Sequence, residues 1–176
     1  NDKTDKTIRD WIQKNKKKIR IFYSSRSNKG LCYTLNELIQ KCNGELLVSL
    51  ASDDYLLSGG ISKRVNYLMA SNRKLAVFGD CIVVDSDDTK LYESGIFNFH
   101  TGLKKNYFTD GKLKSEIIWN WSVPGSVLMV KKEIYRIIGK YDESLVVEDW
   151  DLYLKMVSKN LLGFIDTKVS AYRVHE

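Results

Sequence analysis

"LLVSLASDDYL", residues 46–56, carries an apolar run straight into two adjacent carboxylates, Asp53 and Asp54. Asp is a good turn residue, so the pair has a purely local explanation at the end of a strand. It also has a chemical one. In an open parallel sheet, ligands bind outside the carboxyl ends of the strands, and a carboxylate there can hold a metal-bound phosphate. The flanking sequence decides what kind of sheet this strand belongs to.

Leu31, Leu35, Leu38, Ile39 and Cys42 recur at helical spacing just before it, so 31–42 reads as a helix stopped by Asn43-Gly44. A second helix comes next, through Ile61, Val65, Leu68 and Met69, and then a strand, "LAVFG" at 75–79. Further upstream, "TIRDWIQKN" (7–15) places Ile8, Trp11 and Ile12 on one helical face, and "IRIFY" (19–23) reads as a short strand. Strands alternating with crossover helices predict an α/β fold with a parallel, helix-covered sheet.

After residue 80 the pattern changes. "CIVVDSDDTKLYES" (81–94) reads as two strands joined by an acidic turn, with Asp85, Asp87 and Asp88 as solvated loop residues because nothing else converges there. Residues 95–123 show no clean period. "GSVLMV" (125–130) reads as a strand, "KKEIYRIIG" (131–139) as a helix stopped by Gly139, "EDWDLYLKMVSK" (148–159) as a helix and "LLGFID" (161–166) as a closing strand. Pro124 sits in a loop before a strand, where its missing N–H costs little.

The bulk numbers describe an ordinary globular domain. The chain has 176 residues, 43% hydrophobic and 28% charged, enough for one domain with a real core. No apolar run approaches bilayer-crossing length and the first residues are polar, so neither a membrane span nor a signal peptide is expected. Cys32, Cys42 and Cys81 are odd in number and lack a CxxC pair, which fits a reducing cytoplasm and argues against a cysteine-ligated zinc. The net charge of +6 and pI near 9.1 owe much to one run, "KNKKKIR" at 14–20, which reads as a solvated helix end. No second basic stripe supports a nucleic-acid partner.

A second acidic cluster matters more. In "VVEDWDLYLKM", Trp150, Tyr153, Leu154 and Val157 form the expected buried stripe, and Glu148 and Asp149 fall at the helix start, where the dipole favours negative charge. Asp151 and Lys155 are an i,i+4 pair on the solvent side.

Four segments, in this order, resemble the inverting, nucleotide-sugar-dependent glycosyltransferases of family two, a resemblance that implies a mostly parallel, Rossmann-like mixed sheet with helices on both faces (GT-A type). They are "NKGLCYTLNELIQKCNGELLVSLASDDYL", "AVFGDCIVVDSDDTK", "GSVLMVKKEIYRIIGKYDESLVVEDWDLYLKM" and "AYRVHE". The resemblance implies roles. Asp53 matches the last acid of an Asp-x-Asp and, with His175, would hold a divalent Mn2+ or Mg2+ bridging the donor diphosphate. Asp54 would organise the loop beside the donor, and Asn28 and Gly30 belong to the donor-side Asn-x-Gly loop. Arg173 would neutralise phosphate oxygen. Asp149 matches the catalytic base and Glu148 would orient it. Gly125 and Ser126 fall where the family leaves room for sugar or acceptor, with Trp121 and Trp119 flanking. The implied partners are a nucleotide-sugar donor and a glycan or lipid-linked acceptor of bacterial surface polysaccharide synthesis, with peripheral contact at the inner face of the membrane.

Two departures stand against the pattern. Ala51 occupies the place of the first acid of Asp-x-Asp, which leaves one loop carboxylate for a metal. The chain also opens at "NDKTDKTIRDWI", which resembles the part of the family's domain lying just after its first βαβ unit. Residues 1–176 are therefore expected to be a single catalytic domain, truncated at its start and inactive alone. The rival reading is a non-catalytic nucleotide- or carbohydrate-binding relic of the fold.

Overall fold

The two longest strands, β3 (Ala76–Val84) and β6 (Leu162–Arg173), lie side by side and parallel, from Ala76 opposite Leu162 to Val84 opposite Arg173. The structure, a computed structural model, describes residues 3–175. Contacts divide the chain after Gly30 into two compact units.

In the first unit, helix α1 (Thr4–Asn15) turns Ile8 and Ile12 inward and leaves Trp11 about half exposed. The strand expected at 19–23 does not form. A strand needs a ladder partner, and its own unit offers only a helix. The stretch is held instead by side chains. Tyr23 donates its hydroxyl proton to Asp5 at 2.8 Å, and Arg9 lies over the Tyr23 ring. Lys14, Lys16, Lys17 and Lys18 are exposed, as a solvated run should be.

The second unit holds helix α2 (Leu31–Lys41), strand β1 (Leu46–Val48), strand β2 (Tyr55–Leu56), helix α3 (Gly60–Ala70) and then β3. Strand β4 (Lys90–Tyr92), a π-helical turn at Gly95–Phe99, helix α4 (Asp110–Trp119), strand β5 (Leu128–Lys131), helix α5 (Tyr135–Ile138), helix α6 (Glu148–Ser158) and β6 complete it. The sheet runs β1-β5-β3-β6-β2, with β4 added along β3. The α/β class and the mixed sheet agree with expectation, but the parallel share is smaller. Among the described residues only β3–β6 is parallel; β1–β5, β3–β5, β3–β4 and β2–β6 are antiparallel.

Helices cover both faces. Val77 and Met129 meet Leu68 of α3 on one side. On the other, Ala76, Phe78, Cys81 and Val130 pack with Leu152, Tyr153, Met156 and Val157 of α6 and Ile117 of α4.

Several elements differ from the sequence reading for identifiable reasons. The expected break at residue 80 is absent and β3 runs through it, because Asp80, with no exposed surface, forms an ion pair with Lys168 of β6. Helix α4 was hidden because Glu116 interrupts its apolar period. That buried carboxylate accepts from Leu103 N–H, Asn106 Nδ2 and Asn120 Nδ2 at 2.8, 2.7 and 2.8 Å, tying down the whole 101–120 loop. Helix α2 is rotated from its expected face. Asn36 points inward, exchanging hydrogen bonds with the main chain of Tyr141, so Leu31 and Leu38 stay outside and Cys32 goes in. In α6, Tyr153 and Val157 are buried as expected, joined by Leu152 and Met156, while Trp150 and Leu154 sit at the edge. The Asp151–Lys155 pair forms at 2.6 Å.

Arg64 of α3 is fully buried and is held by main-chain carbonyls alone. Its Nε donates to Gly60 O, and its Nη1 donates to Val127 O at 3.0 Å and Leu128 O at 3.3 Å. It staples α3 to the chain entering β5.

Candidate active site

The Asp53–Asp54 loop owes its position to β2, which pairs antiparallel with the end of β6, Tyr55 opposite Ala171. One step further along the same register, Asp54 meets the Tyr172–Arg173 end of the strand. Asp54 is buried and both its oxygens are engaged: Oδ2 accepts from Ser126 Oγ at 2.7 Å and Oδ1 from Arg173 N–H at 3.0 Å. Ser126 Oγ in turn accepts from Ala51 N–H at 3.0 Å. Asp54 thus organises the loop, and the Ser126 hydroxyl is spent on the same knot.

Asp53 turns the other way, into solvent. Its Oδ2 lies 2.9 Å from His175 Nε2, across 122 residues of sequence. The His175 hydrogen bond first, then a main-chain hydrogen bond, and then the His175 and Arg173 charges hold the Asp53 carboxyl below the usual carboxylate range. Arg173 is occupied throughout. Its Nε donates to Asp53 O at 3.0 Å, its Nη1 to Asp85 O, and its Nη2 pairs with Asp88 Oδ1 at 2.5 Å. The acidic turn is therefore not merely solvated: Asp88, at a left-handed φ of 65°, is the carboxylate partner of Arg173. Neither its spacing nor its composition signalled that link.

Gly125 has a left-handed φ of +60°, and a Cβ there would sit 2.7 Å from Tyr172 Cδ2 and 3.1 Å from Asp54 Oδ2. Gly125→Ala is expected to cost about 2–3 kcal/mol, from the left-handed backbone and the overpacking together. The denaturant midpoint is the measurement; an unchanged midpoint would show that the loop relaxes freely.

The second acidic cluster opens α6. Glu148 and Asp149 lie in its first turn, and Val147 provides no side-chain cap, so carboxylates there are favoured by the helix dipole. Asp149 keeps an open face to solvent, yet its carboxyl is pushed up to about 6, by desolvation first and by the neighbouring Glu148 charge second. Its charge, after burial, helps to raise the Tyr135, Tyr141 and Tyr153 hydroxyls. Next to it, Trp150 donates Nε1–H to Ile117 O at 2.7 Å and stacks on Trp121 at 6.4 Å between centroids. Trp119 points away, 85% exposed.

A short piece of chain links the neighbours of the two acidic spots. Trp121 packs beside Asp149's helix, Ser126 bonds to Asp54, and the five residue steps between them reach at most ~18 Å. Asn28 and Gly30 belong to the first unit, where Gly30 N–H donates to Asn28 Oδ1 at 2.8 Å in a local turn with Gly30 at φ +88°.

Among the described residues no three His, Cys, Asp or Glu side chains form a metal cage. The Asp53–His175 pair still suits Mn2+ or Mg2+, which bind through one or two protein groups and fill the remaining positions with water and substrate phosphate oxygens. No helix among the described residues is long and apolar enough to cross a membrane.

Two solved structures share this architecture. The mannosyltransferase PcManGT from Pyrobaculum calidifontis, determined in complex with GDP-Man and Mn2+, superposes with a TM-score of 0.68 at 13% identity, over 99% of this chain and 44% of that one. S. aureus TarS 1-349 superposes with a TM-score of 0.65 at 15% identity, over 95% of this chain and 48% of that one. The chain thus spans under half the length of either, and the likeness is one of fold: mixed α/β, of the GT-A type. None of the curated proteins matches it. The family model "Glycosyl transferase family 2" matches residues 1–136, a stretch that includes Asp53, Asp54, Gly125 and Ser126 and ends before Glu148. With most of its length matched, the chain belongs to glycosyl transferase family 2.

Proposed function

We propose that this chain carries the catalytic centre of an inverting glycosyltransferase, residues 1–176 belonging to one catalytic domain. It moves a sugar from a nucleotide-diphospho-sugar to an acceptor hydroxyl. The observation that carries the reading is the convergence of Asp53 and His175 at 2.9 Å, next to the Asp54–Ser126–Arg173 knot at the strand ends.

Asp149 acts as the general base. A carboxyl with its pKa raised to about 6 is still ionised at pH 7, yet basic enough to accept the acceptor's proton as its oxygen attacks the anomeric carbon. That carbon–oxygen bond forms as the bond to the diphosphate breaks on the opposite side, so configuration inverts. Glu148 raises the basicity of Asp149 through its charge. A divalent ion held by Asp53 and His175 would supply Lewis-acid stabilisation to the departing nucleotide diphosphate. Arg173 in this reading is a positioning residue: its guanidinium holds the Asp53 carbonyl and the Asp85–Asp88 turn. The acceptor is a glycan or lipid-linked glycan of bacterial surface polysaccharide synthesis, met at the inner membrane face; that part rests on the family likeness alone.

The test is a panel of nucleotide sugars supplied to the full-length protein that carries this chain, with Mn2+, with Mg2+ and with chelator. Metal-dependent release of nucleoside diphosphate is expected with at least one donor. Ala51 favours a second reading, a binding module without turnover, because it leaves the loop one carboxylate short. Donor binding with no release across the whole panel would select it.

A further inference from the structure

One row of side chains crosses four strands at the carboxyl end of the parallel pair. Tyr92 of β4 is opposite Val83 of β3, and Val83 is opposite Tyr172 of β6. Asp54 lies one step beyond the Tyr55–Ala171 pair, beside Tyr172. Directly opposed residues put their side chains on the same face, so this row runs unbroken from Tyr92 to the Asp54 knot. Gly125 confirms the sidedness, since an atom added to it would touch both the Tyr172 ring and Asp54 Oδ2.

Phe99 completes a shelf over this row. Its ring lies 5.3 Å from Tyr92 and 6.3 Å from Tyr172 between centroids, and His100 stands edge-on to it at 4.8 Å. Tyr92 is 41% exposed and Phe99 36%, so both rings present a face to solvent. The shelf is rigid. Phe99 ends the π-helical turn, a geometry frequent at functional sites, with His100 N–H donating to Gly95 O. That turn is anchored on a fully buried carboxylate: Ser94 Oγ donates to Asp80 Oδ2 at 2.6 Å and Ile96 N–H to Asp80 Oδ1 at 3.1 Å. The hairpin carrying Tyr92 is fixed from its other side by the Arg173–Asp88 pair. A polar handle stands at the rim. Burial keeps His100 below the usual imidazole range, so at pH 7 it is neutral, with one nitrogen to donate and one to accept.

We propose that Tyr92, Phe99 and Tyr172 form a stacking platform for a pyranose ring, with His100 bonding one of its hydroxyls. The occupant is a sugar because the half-exposed, pre-oriented rings of Tyr92 and Phe99 match the C–H faces of a hexose, while the tyrosine hydroxyls and the His100 ring supply polar groups for its hydroxyl edges. Strands are about 4.8 Å apart, so a ring over Tyr172 lies one strand spacing from Asp54 and its exposed neighbour Asp53. The proposal rests on the sugar-transfer reading for its biological sense. The platform itself binds saccharide whether or not turnover occurs.

The experiment has two arms. In the first, methyl β-glucoside, methyl β-galactoside, methyl α-mannoside and N-acetylglucosamine are titrated into the protein. Saturation transfer between sugar protons and the Tyr92 and Phe99 rings is followed by NMR, with Tyr92→Leu and Phe99→Leu as controls of unchanged Tm. Transfer from at least one saccharide, weakened roughly 3–10-fold by each substitution, is expected. In the second, the KM for donor (read as donor hydrolysis without acceptor) and the KM for acceptor are measured in the same variants. A rise in one KM with kcat preserved tells whether the ring belongs to donor or acceptor. Contact without turnover leaves the platform standing and sinks the transfer reading. No ring contact with any saccharide, or rings covered by another segment of the protein, overturns the platform.

Discussion

Asp149→Asn is expected to lower sugar transfer by about 10²–10⁴-fold, the range for loss of a general base, with donor binding unchanged. The amide keeps the size and polarity of the carboxyl and cannot take a proton. In the wild-type protein the rate should rise about tenfold per pH unit up to about 6 and level off above, because the base works only when ionised. Stability moves the opposite way. A carboxyl raised from 3.8 to about 6 holds its proton in the folded state across that window while the unfolded chain has lost it, so its contribution to stability falls as pH rises. At pH 7 the Asn variant is therefore expected to melt at the same temperature as wild type or higher. Kinetics against pH, with a thermal melt of the same samples, read both effects. An Asn variant that turns over at the wild-type rate would remove Asp149 from the chemistry.

The neighbouring aspartates should fail for opposite reasons. Asp54→Ala removes a buried acceptor from Ser126 Oγ and Arg173 N–H. At roughly 1.5–3 kcal/mol for each hydrogen bond to a charged group, the loss is about 3–6 kcal/mol, or a Tm lower by about 10 °C or more. Asp53→Ala touches an exposed carboxylate whose main-chain carbonyl still accepts from Arg173, so stability should stay within about 0.5 kcal/mol. Its effect falls on metal-dependent turnover, about 10²-fold or more. Melts and metal titrations of the two variants side by side decide the matter. If both lose stability equally, Asp53 is structural and the proposed metal pair is wrong.

The two acidic spots and their order were legible because each adjoins a strongly patterned element, the strand at 46–48 and the helix at 148–158. The features that escaped reading were polar and interior. Glu116 breaks the period of α4, Asn36 rotates α2, and Asp80 lets β3 pass through a glycine-acid pair that looks like a break. In each case a buried polar side chain finds partners supplied by distant residues, and no local pattern carries that information. The same holds for Arg173, whose chemistry suggested a phosphate but whose bonds go to Asp53, Asp85 and Asp88. Strand β5 was readable as a strand, but its antiparallel direction depends on connectivity in space, and the two-residue β2 was too short to leave a pattern.

The main-chain bond from Arg173 to Asp54 spans 119 residues, and this sets a timetable for biosynthesis. At about 5–20 residues per second, a ribosome needs roughly 6–24 s after making residue 54 before residue 173 exists. For that interval the Asp54 carboxylate has no Arg173 amide, and the nascent sheet shows β3 without its parallel neighbour. Closure of the sheet around Asp54 thus waits for β6. Chaperone dependence should track the synthesis of β6 rather than that of the acidic loop.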